Sequence, residues 1–440
     1  MEIKPEVLVE GLERFLPHQR WFGGKGHAIT EIVPDKVEVI LPDWPALVRV
    51  EAEVHAEGIG PERYNVLIGL RPTDWTLTFL EGNSEALLGE IATDEGPAWG
   101  YEAVRDSQLG LRLFRELFSD VMRPERVRPI TAEMSNTMLI YDDQVVFKIF
   151  RTLSEKVNLD LEVTEGLGKV GFPHVAAPLG VWRQEGTDLG MVQPYLAGGV
   201  EGWAMALTSL RDMFGSRADP WVSGGDFAAE AHRLGTTTAE LHAALGEAFG
   251  FSPGHPQEWA KTMEGQLERV HHPDLDTEAA RRLFQRLAAL EDAGPSIRVH
   301  GDMHLGQVMR TDTGWYVLDF GGEPFRPLEE RRMPTSPMKD VAGMLRSLHY
   351  ATWTAAAEQE EHGVQEELAR EWEERNRGAF VDGYLEAARR LGGLLPEDED
   401  KFGLVLKAFE LDRGIYEIGY ELAHRPEWVK IPMAAIHTLY

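Results

Sequence analysis

The 440-residue sequence contains no cysteine. Disulfide bonds, a thiolate nucleophile and cysteine ligands for zinc are therefore excluded. Basic residues are also scarce: 44 Lys and Arg stand against 73 Asp and Glu, which gives a formal net charge of −29. Because such a charge repels phosphate backbones and anionic lipid surfaces, we expect neither nucleic acid nor a membrane as a partner.

Long apolar runs are absent as well, so no segment reaches the length that a membrane-spanning helix needs. The first sixteen residues, MEIKPEVLVEGLERFL, alternate charged and apolar residues at helical spacing and lack the apolar centre of a secretory signal. We therefore expect a folded, cytoplasmic protein. At roughly 150 residues per domain, the length predicts about three units.

Hydrophobic periodicity divides the chain into three segments. Residues 1–90 combine a helical pattern with alternating strand-like runs and predict a small α+β domain. Residues 91–200 form a second α+β segment, and residues 201–440 are mostly helical. The motif RWFGGKG at residues 20–26 lacks the spacing of a phosphate-binding loop, so we interpret it as a structural turn.

The segment RVHGDMHLGQVMRTDTGWYVLDFGGEP, residues 298–324, carries the chemistry. Gln307 follows Asp302 by five positions, and Asp319 ends a strand-like apolar run and begins an Asp-Phe-Gly triplet. Kinase catalytic loops have this arrangement, in which the first Asp accepts the proton of the attacking hydroxyl and the other two residues hold Mg²⁺. The pattern predicts ATP-dependent phosphoryl transfer with Asp302 as catalytic residue and Gln307 and Asp319 as magnesium ligands.

Two alternatives to this interpretation stay open. His300 and His304 are four positions apart and, with Asp302, would suit a zinc hydrolase, although no other histidine lies at a ligand spacing. The other alternative is a catalytically inactive binding or scaffold protein that has kept the motif.

A kinase also needs residues that hold the nucleotide. A lysine in an apolar strand is costly to bury without an anionic partner, which predicts that Lys148 binds nucleotide phosphates and pairs with Glu162 of the following helix. The polar turn before that strand would cover the phosphates, and the segment from Gln193 to Gly199 would connect the two lobes. The predicted nucleotide-binding residues are Ser135, Asn136, Thr137, Lys148, Glu162, Gln193 and Tyr195.

The motifs HGDMHLGQV, LDFGGEP, YEIGYELAHRPEW and QRWFGGKG together resemble the bacterial maltokinase family, relatives of the aminoglycoside phosphotransferases. The resemblance covers nearly the whole chain. It implies an α+β, bilobal, protein-kinase-like fold preceded by an N-terminal α+β cap domain. Many maltokinases have Glu where this chain has Gly321, so no role is assigned to an acid at that position.

The resemblance also implies a substrate and a pathway. The acceptor would be maltose, phosphorylated by ATP and Mg²⁺ at its anomeric hydroxyl to give maltose 1-phosphate for α-glucan and glycogen synthesis, with trehalose synthase as a candidate partner. Another sugar, such as glucose, glucosamine or an aminoglycoside, is the alternative acceptor. The predicted substrate residues, which combine aromatic rings and polar groups, are His300, His304, Glu323, Tyr416, Glu417, Tyr420, Arg425 and Trp428.

Overall fold

The computed structural model describes residues 1–130, 136–154, 157–223, 225–323, 326–358 and 362–440. These residues form two compact units. The first unit contains residues 1–162 and 176–197, and the second contains residues 163–175 and 198–440. The second unit therefore begins near the predicted boundary at residue 200, but it also includes a short earlier segment.

The first unit is built mainly from antiparallel strands. Its elements are α1 (Glu6–Phe15), β1 (Ile29–Leu41), β2 (Ala46–Ala56), β3 (Ile59–Pro72), β4 (Leu87–Thr93), β5 (Gly96–Glu102), α2 (Ser107–Phe118), β6 (Val127–Pro129), β7 (Thr137–Tyr141), β8 (Val145–Ile149), β9 (Thr152–Leu153), the start of α3 (Leu159–Lys169), β10 (Gly180–Gln184) and β11 (Thr187–Pro194).

Strands β1 to β5 form the N-terminal sheet in the order β1-β2-β3-β5-β4, and β9 pairs with β3. The strand-like runs predicted within residues 1–90 correspond to β1, β2 and β3. The predicted boundary at residue 90 falls inside β4, and the hairpin that β4 forms with β5 carries the sheet to Glu102. Hydrogen bonds between strands, which a composition break does not reveal, decide this boundary.

The motif RWFGGKG is a turn whose aromatic residues anchor it to this sheet. Trp21 and Phe22 belong to the core cluster that includes Tyr64, and the backbone N–H of Gly23 donates to the hydroxyl of Tyr64 at 3.1 Å. The Lys25 ammonium donates to the Arg20 carbonyl oxygen at 3.0 Å. These contacts agree with the predicted structural role.

The other sheet of the first unit has the order β10-β11-β8-β7-β6, and all its described pairings are antiparallel. Strand β8, with the sequence VVFKI, lies between β7 and β11 and is largely buried. Its apolar residues pack into the core, whereas Lys148 brings a cation into the same buried strand.

The second unit is mostly helical. Its elements are the rest of α3, β12 (Val200–Glu201), α4 (Gly202–Ser216), α5 (Ala228–Phe249), β13 (Phe251–Pro253), α6 (Pro256–Leu267), α7 (Thr277–Ala288), β14 (Pro295–Ile297), β15 (Val308–Thr311), β16 (Gly314–Val317), α8 (Leu328–Arg332), α9 (Met338–Ala357), α10 (His362–Leu391), α11 (Phe402–His424) and α12 (Lys430–Ile436). No helix in the described part of the chain is both long enough and apolar enough to cross a bilayer.

Helices α5 and α10 pack with their backbones in close contact. A Cβ atom at Gly235 of α5 would lie 2.0 Å from the carbonyl oxygen of Phe380. A Cβ atom at Gly383 of α10 would likewise lie 2.0 Å from the carbonyl oxygen of His232. Glycine at these two positions therefore allows an approach that any side chain would prevent.

We predict opposite effects for two glycine-to-alanine substitutions in α10. Gly383→Ala should lower the free energy of unfolding by roughly 1–3 kcal/mol, because its methyl group meets a backbone carbonyl that cannot rotate away. Gly378→Ala has open space around its Cβ and should raise stability by up to about 1 kcal/mol through helix propensity. Urea unfolding of both variants tests this, and equal effects would contradict the packing.

Candidate active site

The segment that carries the motif forms a loop, a 3-10 turn and a hairpin. Strand β14 ends at Ile297, the loop containing Asp302 follows, and Leu305–Gln307 form the 3-10 turn. Strands β15 and β16 form the hairpin, after which the chain reaches Asp319. Because the Leu318 N–H donates to the Gln307 carbonyl oxygen at 2.8 Å, the hairpin brings the backbone of Gln307 next to that of Asp319.

Asp340 holds in place the loop that contains Asp302, which is the predicted catalytic loop. This fully buried carboxylate, near the start of α9, accepts hydrogen bonds from the backbone N–H groups of His300 and Gly301, each at 2.8 Å. Gly301 has a φ of +85°, a left-handed conformation that favours glycine. Two adjacent N–H groups bound by one carboxylate fix the backbone immediately before Asp302. The sequence analysis did not identify this residue.

His300 links the catalytic loop to the strand that leads to Asp319. Its Nε2–H donates to the carbonyl oxygen of Leu318 at 2.8 Å, and its Nδ1 accepts from the Asp302 N–H at 3.3 Å. Its ring also lies 5.0 Å from that of Phe320. The predicted substrate role of His300 is therefore corrected, because the side chain is buried and uses both ring nitrogens inside the protein.

The same geometry contradicts the zinc alternative. A carbonyl oxygen only accepts, so Nε2 of His300 carries the proton and offers no lone pair to a metal. Its Nδ1 is occupied by a backbone N–H. Among the described residues, no group of three or more His, Asp or Glu side chains is arranged to hold a metal ion.

His304 lies close to Asp302, the predicted catalytic residue. Its Nε2 lies 3.9 Å from a carboxylate oxygen of Asp302, and its Nδ1 accepts from the Gly306 N–H at 3.1 Å. Burial lowers the pKa of His304, although the Asp302 charge opposes the shift. A neutral imidazole that is still about one-third exposed can contact a ligand beside Asp302.

Asp319 has backbone geometry that is uncommon for a residue with a side chain. Its φ is +55°, in the left-handed region that asparagine and aspartate adopt more readily than other non-glycine residues. Such conformations cost energy and occur often at functional sites. The carboxylate of Asp319 and the amide oxygen of Gln307 are hard donors of the kind that Mg²⁺ prefers, and two such ligands suffice when phosphate and water complete the octahedron.

Arg413 of α11 is a charged residue of the site that the sequence analysis missed. Its guanidinium donates to a carboxylate oxygen of Asp302 at 3.1 Å and to Glu323 through another nitrogen. It therefore connects the catalytic loop to the segment after Asp319. Arg413 precedes the predicted group at 416–428, and nothing in its immediate sequence marks it as a partner of a residue more than 100 positions away.

Glu323 is the centre of a buried ion cluster. Its carboxylate is 3% exposed and contacts Arg326, Arg413 and, at 3.5 Å, Lys339. Burial by itself would raise the pKa of Glu323, but Lys339, Arg413 and Arg326 outweigh it and lower the pKa to about 2. The predicted substrate role of Glu323 is corrected, because its oxygen atoms are already engaged by cations of the protein.

Asp412 lies in the same region, but its pKa is shifted in the opposite direction to that of Glu323. Burial, with a contribution from the Glu323 charge, raises the pKa of Asp412 to about 6 against the effect of the neighbouring cations. The Gln266 amide donates to its carboxylate at 3.0 Å. Asp412 therefore takes up a proton in a pH range where an ordinary aspartate is fully ionised.

A groove of about 820 Å³ opens from this cluster along the second unit. Gly301 and Glu323 are among its lining residues, and the rings of Trp259 and Phe409, with centroids 5.5 Å apart, also line it. An adjoining small cavity includes Tyr416. The groove therefore combines aromatic surface with charged groups beside this loop, as small-molecule sites do.

The other predicted substrate residues follow α11 and the turn after it. The Arg413 guanidinium lies 5.1 Å from the ring centre of Tyr416, and Glu417 pairs with Arg346 at 2.7 Å. Further along, the Tyr420 ring stacks on His424 at 4.3 Å. The structure thus places Tyr416 beside Arg413, whereas Glu417 and Tyr420 follow further along the same helix.

The last two predicted substrate residues lie beyond the end of α11. Arg425 donates to Glu421 at 2.7 Å, and its guanidinium lies 5.0 Å from the ring centre of Trp428. Arg425 is exposed, whereas the side chain of Trp428 is half-buried. An exposed cation beside an aromatic ring is available to a ligand, but its contacts also stabilise the helix end.

In the first unit, the predicted partner of Lys148 is corrected. The Lys148 ammonium donates to the carboxylate of Asp160 at 2.7 Å, and both side chains are buried. Glu162 lies two residues further along α3, which is about 200° around the helix axis from Asp160. The described hydrogen bond of Lys148 is therefore made with the first of these acids.

The remaining predicted nucleotide residues also lie in the first unit. Thr137 begins β7, and its hydroxyl accepts from Arg151 at 2.7 Å. The Gln193 amide donates to the Ala176 carbonyl oxygen at 2.6 Å, and the Tyr195 N–H donates to the Gln144 carbonyl oxygen at 2.8 Å. Two further predicted positions are adjacent to Thr137: Asn136 precedes it in a bend, and Ser135 lies outside the described residues.

The motif geometry and the mixed fold define a phosphotransferase of the kinase type. Comparison with known families supports this class, because residues 126–375 match the phosphotransferase enzyme family and residues 15–106 match the maltokinase N-terminal cap domain. The chain belongs to the phosphotransferase enzyme family. The predicted fold class and the resemblance to maltokinases are thereby confirmed at the family level, and the two matches define a maltokinase-like sugar kinase.

Curated relatives and a solved structure agree with this family. The chain is 29% identical over 328 residues to a glucosamine kinase of Mycolicibacterium smegmatis, covering 71% of this chain and 79% of the relative. It is 26% identical to a glucosamine kinase of Streptacidiphilus jiangxiensis, covering 93% of this chain and 98% of the relative. A solved glucosamine kinase in complex with glucosamine, ADP and inorganic phosphate has the same fold, with a TM-score of 0.67, 20% identity and coverage of 100% and 99%.

We predict that Asp412→Asn stabilises the protein in a pH-dependent way. Because folding raises the Asp412 pKa to about 6, the stability that this group contributes is complete below about pH 4, where it is protonated in both states. That stability is lost as the pH rises through 6. The free energy of unfolding of Asp412→Asn should therefore exceed that of wild type by at most about 3 kcal/mol at pH 7.5, and this difference should shrink towards pH 4.

Urea unfolding at pH 4.5, 6 and 7.5 measures this difference. Asp274→Asn, at a position whose side chain is 74% exposed, is the matched control and should show no such trend. A constant difference between Asp412→Asn and wild type across this range would contradict the assignment.

Proposed function

We propose that the chain transfers the γ-phosphate of ATP to a hydroxyl group of a sugar and that Asp302 is the catalytic residue. The observation that carries the proposal is the position of Asp302, which follows a backbone segment anchored by Asp340 and keeps a side chain that is 19% exposed. Its carboxylate orients the acceptor hydroxyl and receives the proton as the new oxygen–phosphorus bond forms, while the bond from the γ-phosphorus to the bridging oxygen breaks and ADP leaves. Most of the rate enhancement then comes from positioning and from stabilisation of charge.

In this proposal Gln307 and Asp319 hold Mg²⁺ through an amide and a carboxylate oxygen. The metal neutralises charge on the phosphates when it is bound. The hairpin supports this pairing of residues, because the hydrogen bond between the backbones of Leu318 and Gln307 fixes the spacing between its two ends. A strained aspartate at the end of the hairpin is the kind of residue that such a site retains.

On the nucleotide side, we assign Lys148 to the phosphates of ATP and Asp160 to the positioning of Lys148. The contact with the buried Asp160 carboxylate holds the Lys148 ammonium in a fixed direction. Asn136 and Thr137 would contribute to the turn over the phosphates, and Gln193 and Tyr195 would border the adenine.

For the acceptor, two sugars have separate support. Glucosamine is the first candidate, since relatives that match 71% and 93% of this chain carry the name glucosamine kinase. Maltose is the second, since the N-terminal residues match a cap domain named for maltokinases and the groove of about 820 Å³ has room for a disaccharide. With maltose, the product would be maltose 1-phosphate and trehalose synthase a partner in cytoplasmic glycogen synthesis.

We predict that Asp302→Asn lowers kcat by at least about 100-fold, because an amide cannot accept the proton of the attacking hydroxyl. The KM for ATP should change little. Asp312→Asn, an exposed turn residue in the same hairpin, is the matched control and should keep wild-type kinetics. Near-normal turnover by Asp302→Asn would show that its assigned role is wrong.

A catalytically inactive scaffold makes a different prediction from a kinase. A kinase should show a rise in Tm with ATP and Mg²⁺ and sugar-dependent release of ADP, whereas a scaffold should show neither. The absence of both effects in wild type would contradict the proposed function.

Acceptor profiling separates the two sugars. We expect ADP release with glucosamine to exceed that with maltose, glucose and an aminoglycoside when each is supplied at the same concentration. Phosphorus NMR of the product then identifies the modified hydroxyl, because phosphates on C1 and C6 couple to different numbers of protons. A higher kcat/KM for maltose, with phosphate on C1, would favour the second candidate.

A further inference from the structure

We propose that His242 and Tyr384 are positioning residues for phosphoryl transfer, which act through Asp340 on the catalytic loop. His242 Nε2 lies 3.1 Å from the carboxylate of Asp340, and His242 Nδ1 lies 3.0 Å from the hydroxyl of Tyr384. All three side chains are fully buried. None of them reaches the groove or the predicted metal ligands through a described contact. They therefore act on other residues of the protein and not on a ligand.

The direction of the hydrogen bonds follows from the chemistry of the groups. The Asp340 pKa is lowered even though burial opposes ionisation, because His242, His300 and the Gly301 N–H favour the carboxylate. An ionised carboxylate only accepts, so Nε2 of His242 carries a proton. In the neutral imidazole with its proton on Nε2, Nδ1 is an acceptor. Because burial raises the pKa of Tyr384, its hydroxyl keeps its proton and donates to that Nδ1. The chain of donors therefore runs from Tyr384 through His242 to Asp340.

The carboxylate of Asp340 is shared between this chain of donors and the catalytic loop. One of its oxygens accepts from both His242 and the His300 N–H, whereas the other accepts from the Gly301 N–H. Loss of the His242 donor leaves a buried charge with fewer partners, and such a group rotates or draws in water. Either response moves the backbone that immediately precedes Asp302.

Close helix packing holds the first two residues of the chain of donors in register. His242 belongs to α5 and Tyr384 to α10, the two helices that approach through Gly235 and Gly383. A Cβ atom at Gly235 would lie 2.8 Å from the backbone nitrogen of Tyr384. The hydroxyl of Tyr384 therefore reaches His242 from a backbone position that has little freedom to shift.

A positioning role and a purely structural role predict different kinetics. A displacement of about 1 Å at the reacting group can lower turnover about 100-fold without changing substrate binding. A structural role would lower the amount of folded enzyme and leave kcat per folded molecule unchanged. The inference depends on the proposed role of Asp302 for its kinetic part, but not for the state of the loop backbone.

The kinetic test compares two substitutions of the histidine. His242→Leu keeps much of the volume but removes the donor to Asp340, and it should lower kcat per folded molecule at least about tenfold with both KM values within about threefold. His242→Gln places an amide N–H near the position of Nε2 and should recover most of the loss. Tyr384→Phe removes only the hydroxyl and should give a smaller decrease of the same kind.

Thr238→Val is the matched control, because Thr238 is a fully buried residue of α5 whose hydroxyl donates to the Leu234 carbonyl oxygen. It should keep the wild-type kcat per folded molecule. The inference is overturned if His242→Leu keeps the wild-type kcat, or if Thr238→Val loses as much activity as His242→Leu.

Amide hydrogen exchange of a peptide covering residues 298–304 gives a second measurement that needs no substrate. In His242→Leu the amides of His300 and Gly301 should exchange at least about tenfold faster than in wild type and in Thr238→Val. Unchanged exchange at these amides would contradict the proposal. Because exchange does not depend on turnover, failure of this inference can be distinguished from failure of the proposed sugar kinase activity.

Discussion

The buried carboxylate of Asp340 is the contact on which the proposed active site depends. It accepts two adjacent backbone N–H groups of the catalytic loop, at His300 and Gly301, where the backbone conformation favours glycine. His300 then connects this loop to the carbonyl group of Leu318, directly before Asp319. Three elements that are separate in the sequence are thus fixed relative to each other by buried hydrogen bonds. Such bonds are stronger in the protein interior than in water.

A cluster of ionised side chains provides the second constraint. Arg413 joins Asp302 to Glu323, and Glu323 also contacts Arg326 and Lys339. Removal of one partner would change the charge that the other members experience, so substitutions in the cluster should not have additive effects. This arrangement of charges explains why the pKa of Glu323 is lowered while that of the nearby Asp412 is raised.

The two predictions that the structure corrects at the catalytic loop share one cause. His300 and Glu323 were assigned to substrate because they are polar residues that flank the motif, yet both are buried and bonded to the protein. Sequence position shows that a polar residue lies near the predicted active-site motif. It does not show whether the side chain faces the ligand or supports the loop. In the first unit, Lys148 was predicted to pair with Glu162, but it contacts Asp160, which lies two positions earlier in the same helix.

The sequence by itself determined the kinase motif, the turn at residues 20–26, the buried lysine strand and the helical character of the C-terminal half. These features depend on short spacings and on local periodicity, which neighbouring residues fix without reference to the rest of the chain. Only the tertiary structure identified Asp340, Arg413, His242 and Tyr384. Their partners are between 39 and 142 positions away, and contacts over such separations arise from packing, which leaves no local pattern to read.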